Sequence, residues 1–315
     1  MKKLTLATAL IILAACDQST DPQPDPTIWD DVPAGKSLAS LAIQGTAPAA
    51  VAKALADSIV LPVNDVNGVN IGTLVLHDAR VALKDIELMT EEEQDGADEL
   101  EIEFAGPFVV DLITNMVAPS LDTVIIDTGN YTQIELKIDK IEGDEEDDDG
   151  TQLVDPADPL FGNSIYLSGT YSGMTAGGQV TGMPFVMSFD FGEEFELSTI
   201  DSATGVADTS LGFDVQEQTL AAIIIAFRLA KWFNFTDPET NSDGVDFNSL
   251  MTVEDPPGTF TILLDEDADG DNDAIRDVIK ENIEESADYG EDKDGNGILE
   301  SDEDDDPDED DDDDD

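Results

Sequence analysis

Apolar side chains recur at every second position in several stretches, and this period of two predicts a chain built mainly of β-strands. Phe185, Met187, Phe189, Phe191, Phe195 and Leu197 all occupy odd positions, with Ser188, Asp190, Glu194 and Glu196 between them. Ile134, Leu136 and Ile138 alternate with Glu135, Lys137 and Asp139 after the turn-like Asp127-Thr-Gly-Asn130, and Ile165, Leu167 and Tyr171 repeat the pattern more weakly. Successive side chains of a strand point to opposite faces, so each stretch buries one face and wets the other.

Some segments depart from the simple pattern. From Leu74 to Leu88 the apolar parity slips from even (Leu74, Leu76) to odd (Val81, Leu83) and back to even (Ile86, Leu88). A one-residue slip would turn the core face outward, so the slips predict β-bulges near His77-Asp78 and Lys84-Asp85. Leu220 to Phe227 is apolar on both parities, as in a central strand covered on both sides or a short buried helix. Ala47 to Ser58 is the alanine-rich piece of the body with helical propensity. Farther on, Ala274, Ile275, Val278, Ile279 and Ile283 recur at helical spacing, with Asp273 as a candidate N-cap.

Strands separated by Gly, Pro, Asn and Asp clusters, without a βαβ alternation, predict an antiparallel β-sandwich over residues 36–260. That length suffices for one core or for two small sandwiches. The acidic runs Glu91 to Glu103 and Asp144 to Asp149 are expected in long inter-strand loops. Three segments, Ala79-Arg-Val-Ala-Leu-Lys-Asp-Ile-Glu-Leu88, Gly129-Asn-Tyr-Thr-Gln-Ile-Glu-Leu136 and Ile223-Ile-Ile-Ala-Phe227 before Trp232-Phe233, carry a resemblance. With them the body resembles bacterial surface lipoproteins of transthyretin-like or immunoglobulin-like sandwich fold. The resemblance covers about half of the body and brings no catalytic motif.

The N-terminus reads as an address. Lys2 and Lys3 form a basic region, Leu4 to Leu13 is an apolar run too short to span a bilayer, and Leu13-Ala-Ala-Cys16 ends it with small residues before a cysteine. Residues 1–16 resemble a bacterial lipoprotein signal, which implies that Cys16 is acylated and begins the mature chain. Cys16 is also the only cysteine, so disulfides, thiolate catalysis and cysteine metal sites are excluded for the mature monomer. Two or more acyl chains anchor a protein stably to membrane lipid. Residues 17–35, polar and punctuated by Pro22, Pro24, Pro26 and Pro33, read as a flexible linker. The expected location is the cell envelope, at the outer membrane or cell surface, although Asp17 resembles the inner-membrane retention residue of enteric bacteria.

Charge changes the picture of partners. The formal net charge is −61, which excludes nucleic acid as a partner. From Asp265 to Asp315 there are 28 acidic and 3 basic residues, leaving 46 and 10 for the first 264. Such a tail keeps an exported protein soluble and also gathers divalent cations. Residues 304–315 are expected to be a disordered polyanion.

Within the acidic tail one twelve-residue segment has a specific form. Asp292-Lys-Asp-Gly-Asn-Gly-Ile-Leu-Glu-Ser-Asp-Glu303 matches the calcium loop of an EF-hand. Asp292, Asp294 and Asn296 stand at ligand positions 1, 3 and 5, the Ile298 carbonyl at 7, Glu300 at 9 and the bidentate Glu303 at 12. Gly297 takes the sharp turn, and Leu299 is the apolar residue that tacks such a loop down. The segment 261–303 therefore reads as an EF-hand-like calcium unit entered by the helix from Asp273. Its exit, Asp304-Asp-Asp-Pro307, cannot form a second amphipathic helix. Upstream, Asp265, Asp267, Asp269, Asp271 and Asp273 are spaced as a weaker second site, but Arg276 stands where the bidentate glutamate belongs. That segment is either a weak ligand set or a solvated turn capping the helix.

No catalytic residue is assigned. His77 is the only histidine, no serine-nucleophile motif accompanies it, and no pair of carboxylates stands out from the 74 acidic residues. Trp29 and Trp232 fit core or linker packing better than a sugar platform. Two functional classes follow. One is a non-catalytic, lipid-anchored envelope protein whose calcium ion has a structural or docking role. The other is a glycan- or protein-binding module, or accessory enzyme, acting through the sandwich loops.

Overall fold

The computed structural model describes residues 32–46, 58–90, 101–142, 153–197, 213–254, 260–264, 271–292 and 299. The signal segment with Cys16, the linker up to residue 31, residues 47–57, residues 91–100 of the acidic run 91–103, the run 144–149, and the tail from 300 lie outside the described residues; residues 101–103, expected in a loop, are the start of a strand.

The first half of the chain builds β1 (Lys36–Thr46), β2 (Ile59–Asn64), β3 (Asn70–Thr90), β4 (Glu101–Asp111), β5 (Met116–Ala118), β6 (Val124–Asp127) and β7 (Gly129–Ile138). The second half adds β8 (Ile165–Thr175), β9 (Gly178–Phe189), β10 (Glu193–Leu197), β11 (Phe213–Val215) and β12 (Leu220–Arg228). A short helix α1 (Leu229–Trp232), β13 (Val253–Glu254), β14 (Phe260–Leu264), helix α2 (Asp271–Glu284) and β15 (Ala287–Glu291) complete it.

The 21-residue β3 is the spine of the larger sheet. It is long enough to be flanked twice on each edge. Leu74 pairs with Leu61 of β2 on one side and Tyr171 of β8 on the other, while Leu83 pairs with Phe108 of β4 and Ile138 of β7. Val81 pairs with both β4 and β8, which puts β7 and β8 end to end along one edge and β2 and β4 along the other. The two predicted bulges are present, between Leu76 and Asp78 and between Leu83 and Asp85. They keep Leu74, Leu76, Ala79, Val81, Leu83, Ile86 and Leu88 all in the interior despite the change of parity.

The period-two run from Phe185 to Leu197 becomes two strands. β9 lies along β8 and β10 along β7, with the break at Asp190–Gly192. Because β8 and β7 are themselves end to end, the run keeps its parity across the break. Phe185, Met187, Phe189, Phe195 and Leu197 are buried, while Phe191, at the break, is half-buried and packs edge-on against Phe189.

The smaller sheet has the order β15-β12-β1-β6. β12 decides between the two forms open to Leu220–Phe227 in favour of a strand covered on both faces: Ile223, Ile225 and Phe227 enter the common core, and Ile224 and Ala226 are buried on the other face. Both sheets line one apolar cluster, so the expected sandwich is a single one. Its sheets are mixed rather than purely antiparallel. β12 runs parallel to β1 and β14 parallel to β9, because each joins its neighbour only after a long excursion of the chain, which permits parallel pairing.

The boundary expected at residues 260/261 does not separate two cores. Ile262 and Leu264 of β14, Ile275, Val278, Ile279 and Ile283 of α2, and Tyr289 of β15 are all buried in the cluster shared with the sheets. The helix has its predicted apolar stripe, but that stripe needs a surface to cover, and the sandwich provides it.

Where β1 passes the end of β4, the sheets come too close for a side chain. A Cβ at Gly45 would lie 2.8 Å from the Leu112 Cβ and press on the Leu112 carbonyl oxygen, which is backbone and cannot turn aside. Gly45→Ala should therefore destabilise the protein by about 1–3 kcal/mol, the usual range for overpacking. A chemical denaturation midpoint unchanged from the parent would contradict this packing.

Candidate calcium loop and its anchor

The calcium-loop motif is fed by a strand. α2 ends at Glu284, and Glu285–Ser286 turn the chain into β15, which pairs antiparallel with β12 from Phe227↔Ala287 to Ile223↔Glu291. This corrects the expectation of a helix running directly into the loop. Ala287-Asp-Tyr-Gly-Glu291 alternates small or acidic residues around Tyr289, and the open edge of β12 supplies backbone partners that a continued helix could not use.

The turn before β15 is pinned by buried polar contacts. The Trp232 indole N–H donates to the Ser286 hydroxyl at 2.6 Å, that hydroxyl donates to the Ile283 carbonyl at 2.7 Å, and the Arg228 amide donates to the Ser286 carbonyl at 2.9 Å. Arg228 also forms an ion pair with Asp288. Nearby, the Asn282 side-chain amide donates to the carbonyls of Trp232 at 3.2 Å and Asn234 at 2.8 Å and accepts from the Thr240 hydroxyl at 2.6 Å. These contacts hold α2 and α1 together behind the strand.

Within β15, Tyr289 is 1 % exposed and reaches across the sandwich. Its hydroxyl donates to the Thr132 carbonyl of β7 at 2.7 Å, and its ring meets Phe213 edge-on at 6.4 Å. Phe213 in turn stacks on Tyr131 at 5.5 Å. Tyr289 was not singled out by the sequence; its place between Ala287 and Glu291 in a period-two pentapeptide is the signal that could have found it.

Asp292, the first ligand position, follows β15 directly. Its amide donates to the Ala222 carbonyl at 2.8 Å, adding one rung beyond the last residue of the strand. Asp292 and Leu299 are both half-buried. The other ligand positions, Asp294, Asn296, Ile298, Glu300 and Glu303, and the turn residue Gly297 lie outside the described residues. Among the described residues no group of three or more His, Cys, Asp or Glu is arranged to hold a metal.

The weaker second site is corrected in part. Asp265, Asp267 and Asp269 lie outside the described residues, but Asp271 and Asp273 are in the first turn of α2. The helix begins two residues before the expected N-cap at Asp273, so the second half of a loop over residues 265–276 is helical. The exposed Asp273 is left facing the positive end of the helix dipole, a favourable place for a carboxylate without a metal. Arg276 stacks over the Phe189 ring at 5.1 Å.

Negative charge crowds the turn that leads into β15. Burial, followed by the carboxylates of Asp237 and Glu239, pushes the Glu285 carboxyl above its ordinary value, and burial pushes Glu284 up against the pull of Lys280. No basic residue occupies the last turn of α2, so the negative end of the helix dipole adds to this field.

His77 is exposed on β3, and Trp232, Tyr131, Tyr171 and Tyr289 are fully buried. The large apolar side chains exposed among the described residues are Val69, Met116, Ile125, Met174, Met251 and Val253, none of them aromatic. Among the described residues no helix is long and apolar enough to cross a membrane. Compared with known proteins, the chain matches no family model, no curated protein and no solved structure.

Proposed function

We propose that this is a non-catalytic protein of the bacterial cell envelope, anchored to membrane lipid through acylated Cys16, that binds one calcium ion in the loop Asp292–Glu303. The observation that carries the reading is the position-by-position fit of that loop to a calcium ligand set, including Gly297 and Leu299, which general acidity would not produce. Support from the fold comes from Asp292: its amide is bonded to the central strand β12, so the first ligand is rooted in the sandwich rather than in the tail. The role is structural or docking, since the carboxylates named here accompany no nucleophile or general base.

Calcium titration calorimetry tests the reading. In about 150 mM salt the Debye length is roughly 8 Å, which suppresses diffuse counterion binding. The expected result is one ion bound with a dissociation constant on the order of 10⁻⁴ M, and magnesium weaker because its rigid octahedral shell fits the loop poorly. Glu303→Gln removes a charge and the bidentate ligand and should weaken binding at least tenfold. Asp310→Asn removes one tail charge and should leave it unchanged. Equal effects from the two substitutions would show that the polyanion, not the loop, takes up the ion.

A further inference from the structure

We propose that a row of glutamates across the outer face of the larger sheet is an acid-closed clamp: proton uptake in mild acid fastens β10 and the start of β4 to the strands between them. The inference is independent of the calcium loop and rests on strand register.

Glu87 of β3 stands opposite Glu103 of β4 on one side and Glu135 of β7 on the other, and Glu196 of β10 stands opposite Glu135. Four neighbouring strands thus carry the same acidic residue at one level. Directly opposed side chains have Cβ atoms about 4.5–5.5 Å apart, and like charges so placed work against pairing. Glu87 and Glu135 are half-buried and Glu103 is exposed, while Ile86, Leu88, Phe104, Ile134 and Leu136 beside them fill the core. A one-residue slip would part the glutamates only by turning those apolar side chains outward, so the core holds the carboxylates together.

The neighbouring levels carry the other charges that face Glu87. On one side Asp85 stands opposite Lys137, whose ammonium pairs with Glu194 of β10 at 2.6 Å, and Lys84 pairs with Asp139 at 3.6 Å. Burial pushes the Asp85 carboxyl above its ordinary value, with Glu103 and Glu194 adding to the push against the pull of Lys137 and Lys84. On the other side Glu101 of β4 and Gln133 of β7 stand opposite Met89.

A proton on Glu87 removes two repulsions at once and lets the carboxylic acid donate its O–H to a neighbouring carboxylate, a short and strong hydrogen bond. Among the described residues both ends of the row are sheet edges: β10 pairs with β7 alone, and β4 pairs with β3 alone over Glu101–Ala105. Edge strands open at lower cost than the whole fold, so the repulsion acts where it is most easily relieved by opening. A carboxyl raised in the folded chain binds its proton before the unfolded chain does. Stability therefore rises as pH falls from neutral toward about 4.3, the ordinary glutamate value, and is lost again as pH climbs.

Residue-assigned NMR titration of the carboxyl carbons in the full chain is the test. Glu87 should titrate about one unit above the ordinary glutamate value. Amide protection factors, with the intrinsic pH dependence of exchange divided out, should rise several-fold along β10 and Glu101–Ala105 as Glu87 takes up its proton, and less along β8 and β9. Glu87→Gln should raise the denaturation midpoint at neutral pH and reduce its further gain in mild acid. Asp243→Asn, which removes an exposed turn carboxylate, should change neither. Should Glu87→Gln not fold, the titration of the parent chain decides. A Glu87 midpoint at or below the ordinary value, or equal effects of the two substitutions, would overturn the clamp.

Discussion

A chain ended at Glu254 should fail to fold cooperatively, although every strand from β1 to β13 is retained. The truncation removes Ile262, Leu264, Ile275, Val278, Ile279, Ile283 and Tyr289, all buried in the common core. Fully burying a side chain of this size contributes about 1.5–3 kcal/mol, so the loss is on the order of 10–20 kcal/mol against a typical domain stability of about 5–15 kcal/mol. It also strips β12 of its β15 neighbour and exposes one of its edges, an invitation to intermolecular pairing. Thermal unfolding followed by circular dichroism is the measurement. A sharp transition close to that of the full chain would mean that residues 260–292 are an appendage after all.

Attachment to the membrane should depend wholly on residues 1–16. Replacing them with a secretory signal cleaved before Asp17 should move the protein from the membrane fraction to the soluble exported fraction. Cys16→Ser in the natural chain should abolish incorporation of labelled fatty acid. The physical case is that a net charge of −61 repels anionic lipid surfaces, and the longest apolar run of the body, Leu220–Phe227, is eight residues long and forms the core strand β12. Among the described residues no helix is long and apolar enough to cross a membrane in place of the acyl chains. Protein that still pelleted with membranes after a high-salt wash would show a second means of attachment.

Much of the fold was legible because strand patterning is local. The bulges near His77-Asp78 and Lys84-Asp85 follow from parity alone: the core accepts one face, and only an extra residue restores that face after a slip. The two-sided burial of β12 followed from apolar residues on both parities. The calcium-loop pattern from Asp292 to Glu303 is likewise a local one, oxygens spaced within twelve consecutive residues, but of its ligand positions only Asp292 lies among the described residues.

What the sequence did not disclose is long-range pairing. Ala287–Glu291 is too short and too polar to announce itself as a strand, and it becomes one because β12, whose paired residues lie 60 to 68 positions earlier, offers an open edge. The same holds for the parallel neighbours β1–β12 and β9–β14, whose pairing depends on which edges remain free once β3 has gathered its four partners. By itself the sequence determined the strand content, the inward faces and the bulges, all governed by chemistry within a few residues. Tertiary structure alone decided that α2 belongs to the common core and that a strand rather than a helix leads into the loop. It also placed Tyr289 between the sheets, because each of these depends on a surface built by distant parts of the chain.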